Sequence, residues 1–402
     1  MELSLHDAPA NAPARARAAT HEFILSPAQQ AALVRFPRRR RKAVRALALS
    51  HPYLAQLLLS FPAALYAMAC RRPQLAVDAR SQVIAGGSLK EVAAALGLPS
   101  WTRRVPPEGC CAALLLPLPD GPLISARIGN LMPSDAADWP GWLDGVSVGA
   151  RIAGDDFALW VARELKRVRR PGSVDGIATI AMWAWYGAER RNAASTMIPA
   201  PWRAGLSLAN AASGARAWLE GIEFLMVEPP GPIGLSPPAG DTVDGFTFVP
   251  IPWGAPLVAE GVRMRNCLSS YAGSYLRGSR VWSVHRDGRT VADLELAFGG
   301  TERGVPRLVQ LRAVSNTDAP DAIWAAVYRW LTRWQVLDTP HPVKSEVYRR
   351  RPGAWHDLWR PLWEAHGFRP GLPYPVIADY CQSAEQMTDA LDDLAYLERR
   401  GR

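Results

Sequence analysis

Hydrophobic spacing divides the chain into three stretches. From residue 26 to 228 apolar side chains recur every three or four positions, the period of helices. From 241 to 338 short runs alternate apolar and polar, the period of strands, and from 339 to 402 helical spacing returns. The first helix opens at SPAQQAALVRF, where Ser26 can cap, Pro27 suits the first helical position and Gln29 completes a capping box. A second capping box opens GSLKEVAAALGLP, with Ser88 and Glu91. Val92, Leu96 and Leu98 form the apolar side, and Gly97 and Pro99 end the helix. In DDFALWVARELKRVRR, Phe157, Trp160, Val161 and Leu165 share one stripe, with Arg163, Lys166, Arg167 and Arg169 elsewhere. IATIAMWAWYGAERR and ASGARAWLEGIEFLMV read as further helices whose aromatic residues are core. No repeat of fixed period occurs.

The Pro/Gly stretch EPPGPIGLSPPAGD holds neither helix nor central strand, so residues 229–240 read as a linker. After it, GFTFVPIPW reads as a strand and EGVRMRNCLSSYAGSYLRG, residues 260–278, as one helix. Three strands follow, RVWSVHR, RTVADLELAF and PRLVQLRAVS, with Asp287-Gly288 as the turn between the first two. A helix with Ile323, Val327, Trp330 and Trp334 at helical spacing closes this unit. Farther on, Trp355, Trp359 and Trp363 stand four apart, interrupted by Pro361. The last helix has Ser383 as cap, Gln386 three later, and charges that complement its dipole. The expected fold class is α+β. It comprises a disordered N-terminus (1–25), a large all-helical region (26–228), a small antiparallel-sheet α/β domain (241–338) and a helical C-terminal extension (339–402).

Length and composition narrow this picture. A chain of 402 residues fits two or three domains. No apolar run approaches about 18 residues, so no membrane span is expected, and the N-terminus lacks a signal peptide's apolar core. Five cysteines without a CxxC suit a reducing cytoplasm. The net charge of +9 is uneven, for residues 1–50 hold nine Lys/Arg against three Asp/Glu. Arg38, Arg39, Arg40, Arg41 and Lys42 form a run that could meet a phosphate backbone, although no aromatic interleaving or base-reading motif accompanies it. The Ser88 helix resembles the first helix of a helix-turn-helix, but Pro106 and Pro107 leave no room for a recognition helix.

Candidate chemistry concentrates in the α/β unit. Strand alternation places Trp282, Val284, Ala292, Leu294, Leu296, Val309, Leu311 and Ala313 on one face of a three-stranded sheet. Ser283, His285, Asp293, Glu295, Gln310 and Arg312 fall on the other. Antiparallel sheets commonly keep a polar face in water, whereas function requires it to be covered. On a continuous helix Cys267, Tyr271 and Tyr275 would share one side, as core residues or overhanging the polar face. A nucleophilic Cys267 needs a base or cation nearby, and His285 is the only histidine of the unit. Four zinc ligands at workable spacing are absent. Asp293 and Glu295 could instead hold a divalent metal, with Gln310 or Asp318 as helper, as in nucleases.

Glu260, Gly261, Met264, Cys267, Tyr271, Glu295, Gln310 and Asn316, in this order and spacing, resemble the PcfJ-type domain of conjugative plasmids and related mobile elements. The likeness covers about 80 residues, and the flanking helical segments resemble longer members of that family. Many members carry His before the Cys. Here the residue is Asn266, so a mechanism that relies on that imidazole is not carried over. The resemblance implies a link to DNA mobility, with Cys267, Tyr271, Glu295, Gln310 and Asn316 as site positions, but no particular reaction. The expected function is a cytoplasmic accessory protein that contacts DNA or RNA, through Arg38 to Lys42, or a protein partner. The alternatives are a thiol-dependent enzyme or metal-dependent nuclease centred on Cys267, Glu295 and Gln310, and a non-catalytic interaction scaffold. No cofactor and no resident metal are expected.

Overall fold

A computed structural model of the chain describes residues 24–71, 73–168, 174–189, 192–227, 229, 240–298, 307–333, 354–366 and 384–401. The expected disordered N-terminus and the 229–240 linker fall almost wholly outside these residues, as do Arg169, Trp334, Cys381, Ser383 and the Trp355 side chain. The fold is α+β, with a helical N-terminal region and one five-stranded antiparallel sheet. Two compact units divide it, Met1–Cys110 and Cys111–Arg402, so the helices expected in one region belong to both.

The first unit is helical: α1 (Pro27–Arg35), α2 (Arg38–Leu49), α3 (Pro52–Ser60), α4 (Pro62–Cys70), α5 (Pro73–Ile84) and α6 (Leu89–Ala95). Proline begins α1, α3, α4 and α5, where its fixed φ suits the first turn. Both capping boxes form: Gln29 N donates to Ser26 Oγ at 3.3 Å, and Ser88 N donates to Glu91 Oε2 at 2.7 Å. Val44, Ala48, Leu54, Leu58, Phe61 and Leu65 fill the interior. After α6 the chain makes only 3-10 turns, Ser100–Arg104 and Pro107–Gly109, so no recognition helix follows.

The second unit begins with α7 (Pro122–Arg127), α8 (Trp139–Ala153), α9 (Asp155–Leu165), α10 (Asp175–Ala188), α11 (Ala193–Thr196) and α12 (Leu208–Met226). Phe157, Trp160, Val161 and Leu165 are buried as one stripe. Three indoles of this tryptophan-dense core place their N–H on backbone carbonyls: Trp142 donates to Ala162 O at 3.0 Å, Trp160 to Leu206 O at 2.8 Å and Trp218 to Ala194 O at 3.1 Å. Beyond the sheet domain come α16 (Ala354–Ala365) and α17 (Ala384–Gly401). The α16 helix runs through Pro361, contrary to the expected interruption. Trp359 and Leu362 are fully buried, with Trp359 edge-on to Tyr186 and Trp218, and this packing outweighs a proline penalty of about 3 kcal/mol.

The sheet is a meander of β1 (Asp241–Val243), β2 (Phe246–Pro250), β3 (Ser279–Arg286), β4 (Arg289–Ala297) and β5 (Arg307–Ala313), where three strands with β2 apart had been expected. Asp287 and Gly288, with φ of 51° and 72°, form the left-handed turn that a two-residue hairpin requires. Trp282, Val284, Ala292, Leu294, Leu296 and Leu311 join Phe248 in a core with Ile323, Ala326, Val327 and Trp330 of α15 (Asp321–Arg333). Val309 does not join them. Glu295 pairs with Gln310 but Leu296 pairs with Leu308, so Val309 is the extra residue of a bulge and is 43% exposed.

The opposite, polar face is covered by α13 (Ala255–Met264) and α14 (Ala272–Leu276). Residues 260–278 are therefore not one helix. Arg265 is left-handed, with φ of 53°, which ends α13. Asn266 then caps a 3-10 turn, Cys267–Ser270, by accepting from Leu268 N at 3.2 Å. Gly261 favours the close reversal, because a Cβ there would stand 3.0 Å from Ser269 N, tighter than ordinary contact.

Candidate functional site

The break after Met264 separates residues that a continuous helix would have aligned. Tyr271 and Tyr275 turn inward and are buried, while Cys267 stays exposed. Cys267 is therefore not a core thiol. Tyr275 donates to Ile251 O at 2.9 Å and accepts from Val281 N at 3.1 Å, which joins α14 to the sheet.

Beneath these helices the polar face is not open to water, because Ser283, Asp293 and Glu295 are all buried. Cross-strand register places Glu295 opposite Gln310 on one side and Val281 on the other. Three donors converge on the Glu295 carboxylate. Tyr271 OH reaches Oε2 at 3.0 Å, Gln310 Nε2 reaches the same oxygen at 2.8 Å, and Ser279 Oγ reaches Oε1 at 2.7 Å. Gln310 Nε2 also donates to the Tyr271 hydroxyl. Burial and the adjacent Glu295 raise the Tyr271 phenol well above its ordinary value, so it stays a donor.

Asp293 lies two residues earlier on the same face and accepts from Asn266 Nδ2 at 2.7 Å. Glu260 of α13 meets Asp293 carboxyl to carboxyl, accepts from Ser283 Oγ at 2.7 Å, and pairs with Arg263 at 2.6 Å. Burial, and then the neighbouring Glu260, push the Asp293 carboxyl up to about 7.

A cavity of about 20 Å³, enough for one water-sized group, opens where these elements meet. Cys267, Tyr271, Glu295, Gln310 and Asn316 all line it, together with Asn266, Asp293 and Arg312. Asn316 and its neighbour Ser315 both have φ of 58°, a left-handed pair of the kind that clusters at functional sites. His285 is elsewhere: its Nε2 lies 2.8 Å from Ser283 Oγ, and it does not line the cavity, so it is not the partner of Cys267. Asp318 is turned to Arg312 and is highly exposed. Among the described residues no group of three or more His, Cys, Asp or Glu is arranged to hold a metal ion. The Glu295 oxygens, taken by three donors, do not fit one either.

Sequence reading missed the Glu260–Asp293 contact and the tie from Asn266 to Asp293. The signal for the second was the departure at Asn266, a polar residue beside the thiol with no helix left to continue. Met264 belongs to the core, and Glu260 and Gly261 serve the packing of α13.

The first unit holds a separate feature. Five consecutive cations span more than one helical turn, so they cannot share a face. Arg38, Arg41 and Lys42, joined by Arg45, line a groove of about 1270 Å³ whose other walls include Ile24, Leu33, Val34, Leu49 and His51. Arg39 and Arg40 are exposed but do not line it. Among the described residues none of Arg38, Arg41, Lys42 or Arg45 pairs with a carboxylate. His51 and the exposed Tyr53 meet edge to face at 5.3 Å where α3 begins. No described helix is long and apolar enough to cross a membrane. The chain matches no protein-family model, no curated protein and no solved structure.

Proposed function

We propose that the chain is a PcfJ-like accessory protein of a plasmid or other mobile element, acting in the cytoplasm and contacting nucleic acid through its N-terminal unit. The distribution of charge carries this reading. Residues 24–110 hold thirteen Lys/Arg and three Asp/Glu, whereas residues 111–402 hold thirty-one of each. The whole cationic surplus therefore belongs to the first unit, whose α2 lays four cations along one groove wall. Phosphates would meet that wall, and the His51–Tyr53 pair offers a base a ring to stack on. The test is the affinity of the full chain for labelled single- and double-stranded DNA and RNA across a salt series. Changing Arg38, Arg41, Lys42 and Arg45 together to Gln should flatten the log–log salt dependence by about 3 and abolish most binding near physiological salt. Absence of affinity at low salt, or a slope that survives the change, removes the reading.

A second reading, a thiol-dependent enzyme, is favoured by one observation: an exposed thiol shares a cavity with five polar residues from distant positions, Asp293, Glu295, Gln310, Arg312 and Asn316. It predicts that Cys267 is alkylated faster in the folded protein than in the unfolded chain, with Cys267→Ser as the blank. Slower labelling in the folded state argues against it.

A further inference from the structure

The two carboxyls facing the cavity are held differently. Glu295 takes donors on both oxygens, three in all, which tie its carboxylate in place. Asp293, though only 5% exposed, takes one donor, Asn266 on Oδ2, and no donor reaches its buried Oδ1. Asn266 is also the chain neighbour of Cys267, so one side chain ties the carboxyl to the segment that carries the thiol. The charged and titratable groups around Asp293 are few. Glu260 and Arg263 face it from α13 and Tyr275 from α14. Arg312 is its partner on β5 but is turned to Asp318, and His285 on β3 is held by Ser283. Two carboxyls in contact within a buried face do not both ionise readily, so burial and the neighbouring Glu260 make the Asp293 carboxyl hold its proton to higher pH.

Resting on the thiol reading, we infer that Asp293 is the general acid–base residue of this centre and serves Cys267 in attack on an acyl compound, an ester or thioester whose carbonyl oxygen is small enough for the cavity. The S–H proton passes to the Asp293 carboxylate as the sulfur–carbon bond forms. The bond to the leaving alkoxide or thiolate then breaks, and Asp293 returns the proton to that group. The acyl group stays on sulfur until water hydrolyses it. Retention of a proton near neutral pH, caused by burial and by Glu260, suits this duty.

The experiment follows the rate of Cys267 alkylation by iodoacetamide in the full chain, from about pH 5 to about pH 9, with the labelled site read by mass spectrometry. In the unaltered protein the profile should bend near pH 7, where the Asp293 carboxyl gives up its proton. Asp293→Asn should remove that bend and slow labelling at neutral pH by about tenfold or more. Arg263→Gln alters a side chain that is mostly exposed, and it keeps the test available if Asp293→Asn does not fold. It should move the bend to higher pH, because the Arg263 cation lowers the Asp293 carboxyl. A bend that stays in place in both variants, with Cys267 still reactive, overturns the role of Asp293 alone. A Cys267 that labels no faster in the folded than in the unfolded protein removes the thiol reading beneath it.

Discussion

The two faces of the sheet are built on the same strands and are both covered by helices, yet they hold different chemistry. Under α15 the packing is hydrocarbon and indole, with Phe248 stacked on Trp330 at 4.3 Å. Under α13 and α14 it is carboxyl, amide and hydroxyl, with Glu260, Asp293 and Glu295 all less than a tenth exposed. Burying a polar side chain is unfavourable unless its hydrogen bonds are replaced, and burying three acids close together is more so. A sheet that needed only stability would leave its polar face in water. Covering it makes sense where a dry, pre-arranged polar surface does something, which is why the candidate centre is sought there and not in the better-packed core.

The contrast predicts a division of labour, and Trp330→Ala tests it most forcibly. Trp330 is fully buried between Phe248 and Trp282, so its loss should destabilise the second unit by about 3–5 kcal/mol in denaturant unfolding. The rate of Cys267 alkylation in the protein that remains folded should not change. If alkylation falls in step with stability, the two faces are not separable.

The pH dependence of stability comes next. The folded Asp293 carboxyl, at about 7, lies above its ordinary value of 3.8. A group raised on folding stabilises the fold fully below its unfolded value and loses that contribution as pH rises through the folded one. Stability should therefore decline between about pH 4 and pH 7, by roughly 4 kcal/mol if Asp293 acts alone. Asp293→Asn should flatten the decline. A decline of equal size in the variant assigns it to another group.

Glu295→Gln has a smaller expected effect, about 2 kcal/mol, because an amide keeps the shape but must turn a donor toward Ser279, Tyr271 or Gln310. Thermal unfolding reads it, and stability equal to that of the unaltered protein would mean that the three donors are not engaged as described.

How far these faces were legible in the sequence follows from what fixes each feature. Period-two alternation sorted Trp282, Leu294 and Leu311 from Ser283, Asp293 and Gln310, because pleating alone decides which side a residue takes. The Asp287-Gly288 turn was legible because its backbone needs positive φ. The opening capping boxes were legible for a similar local reason. What covers the polar face was not legible, since it depends on α13 reversing at Arg265, a residue with no intrinsic reason to be left-handed. The approach of Ser269 over Gly261 favours that reversal, and that is a tertiary contact. The convergence of Cys267 with Glu295 and Gln310 was a matter of spacing and resemblance, whereas the pairing of Asp293 with Glu260 needed the fold.

The bulge at Val309 gives the smallest effect and the sharpest check on register. Plain alternation puts Val309 in the core beside Leu311, and replacing it by Lys would then bury a charge and unfold the sheet. With the register slipping by one residue after Glu295, Val309 instead stands 43% exposed on β5, the edge strand, where a lysine suits the surface. Val309→Lys should then change the denaturation midpoint by no more than about 0.5 kcal/mol, while Leu311→Lys should prevent folding of the domain. Gln310 stands ahead of the slip, still in register with Glu295 and on the same face of the sheet. A strongly destabilising Val309→Lys would therefore restore the plain register beyond Glu295 and put Val309 back in the core, while the Glu295–Gln310 pair, which lies ahead of the slip, would stand unchanged.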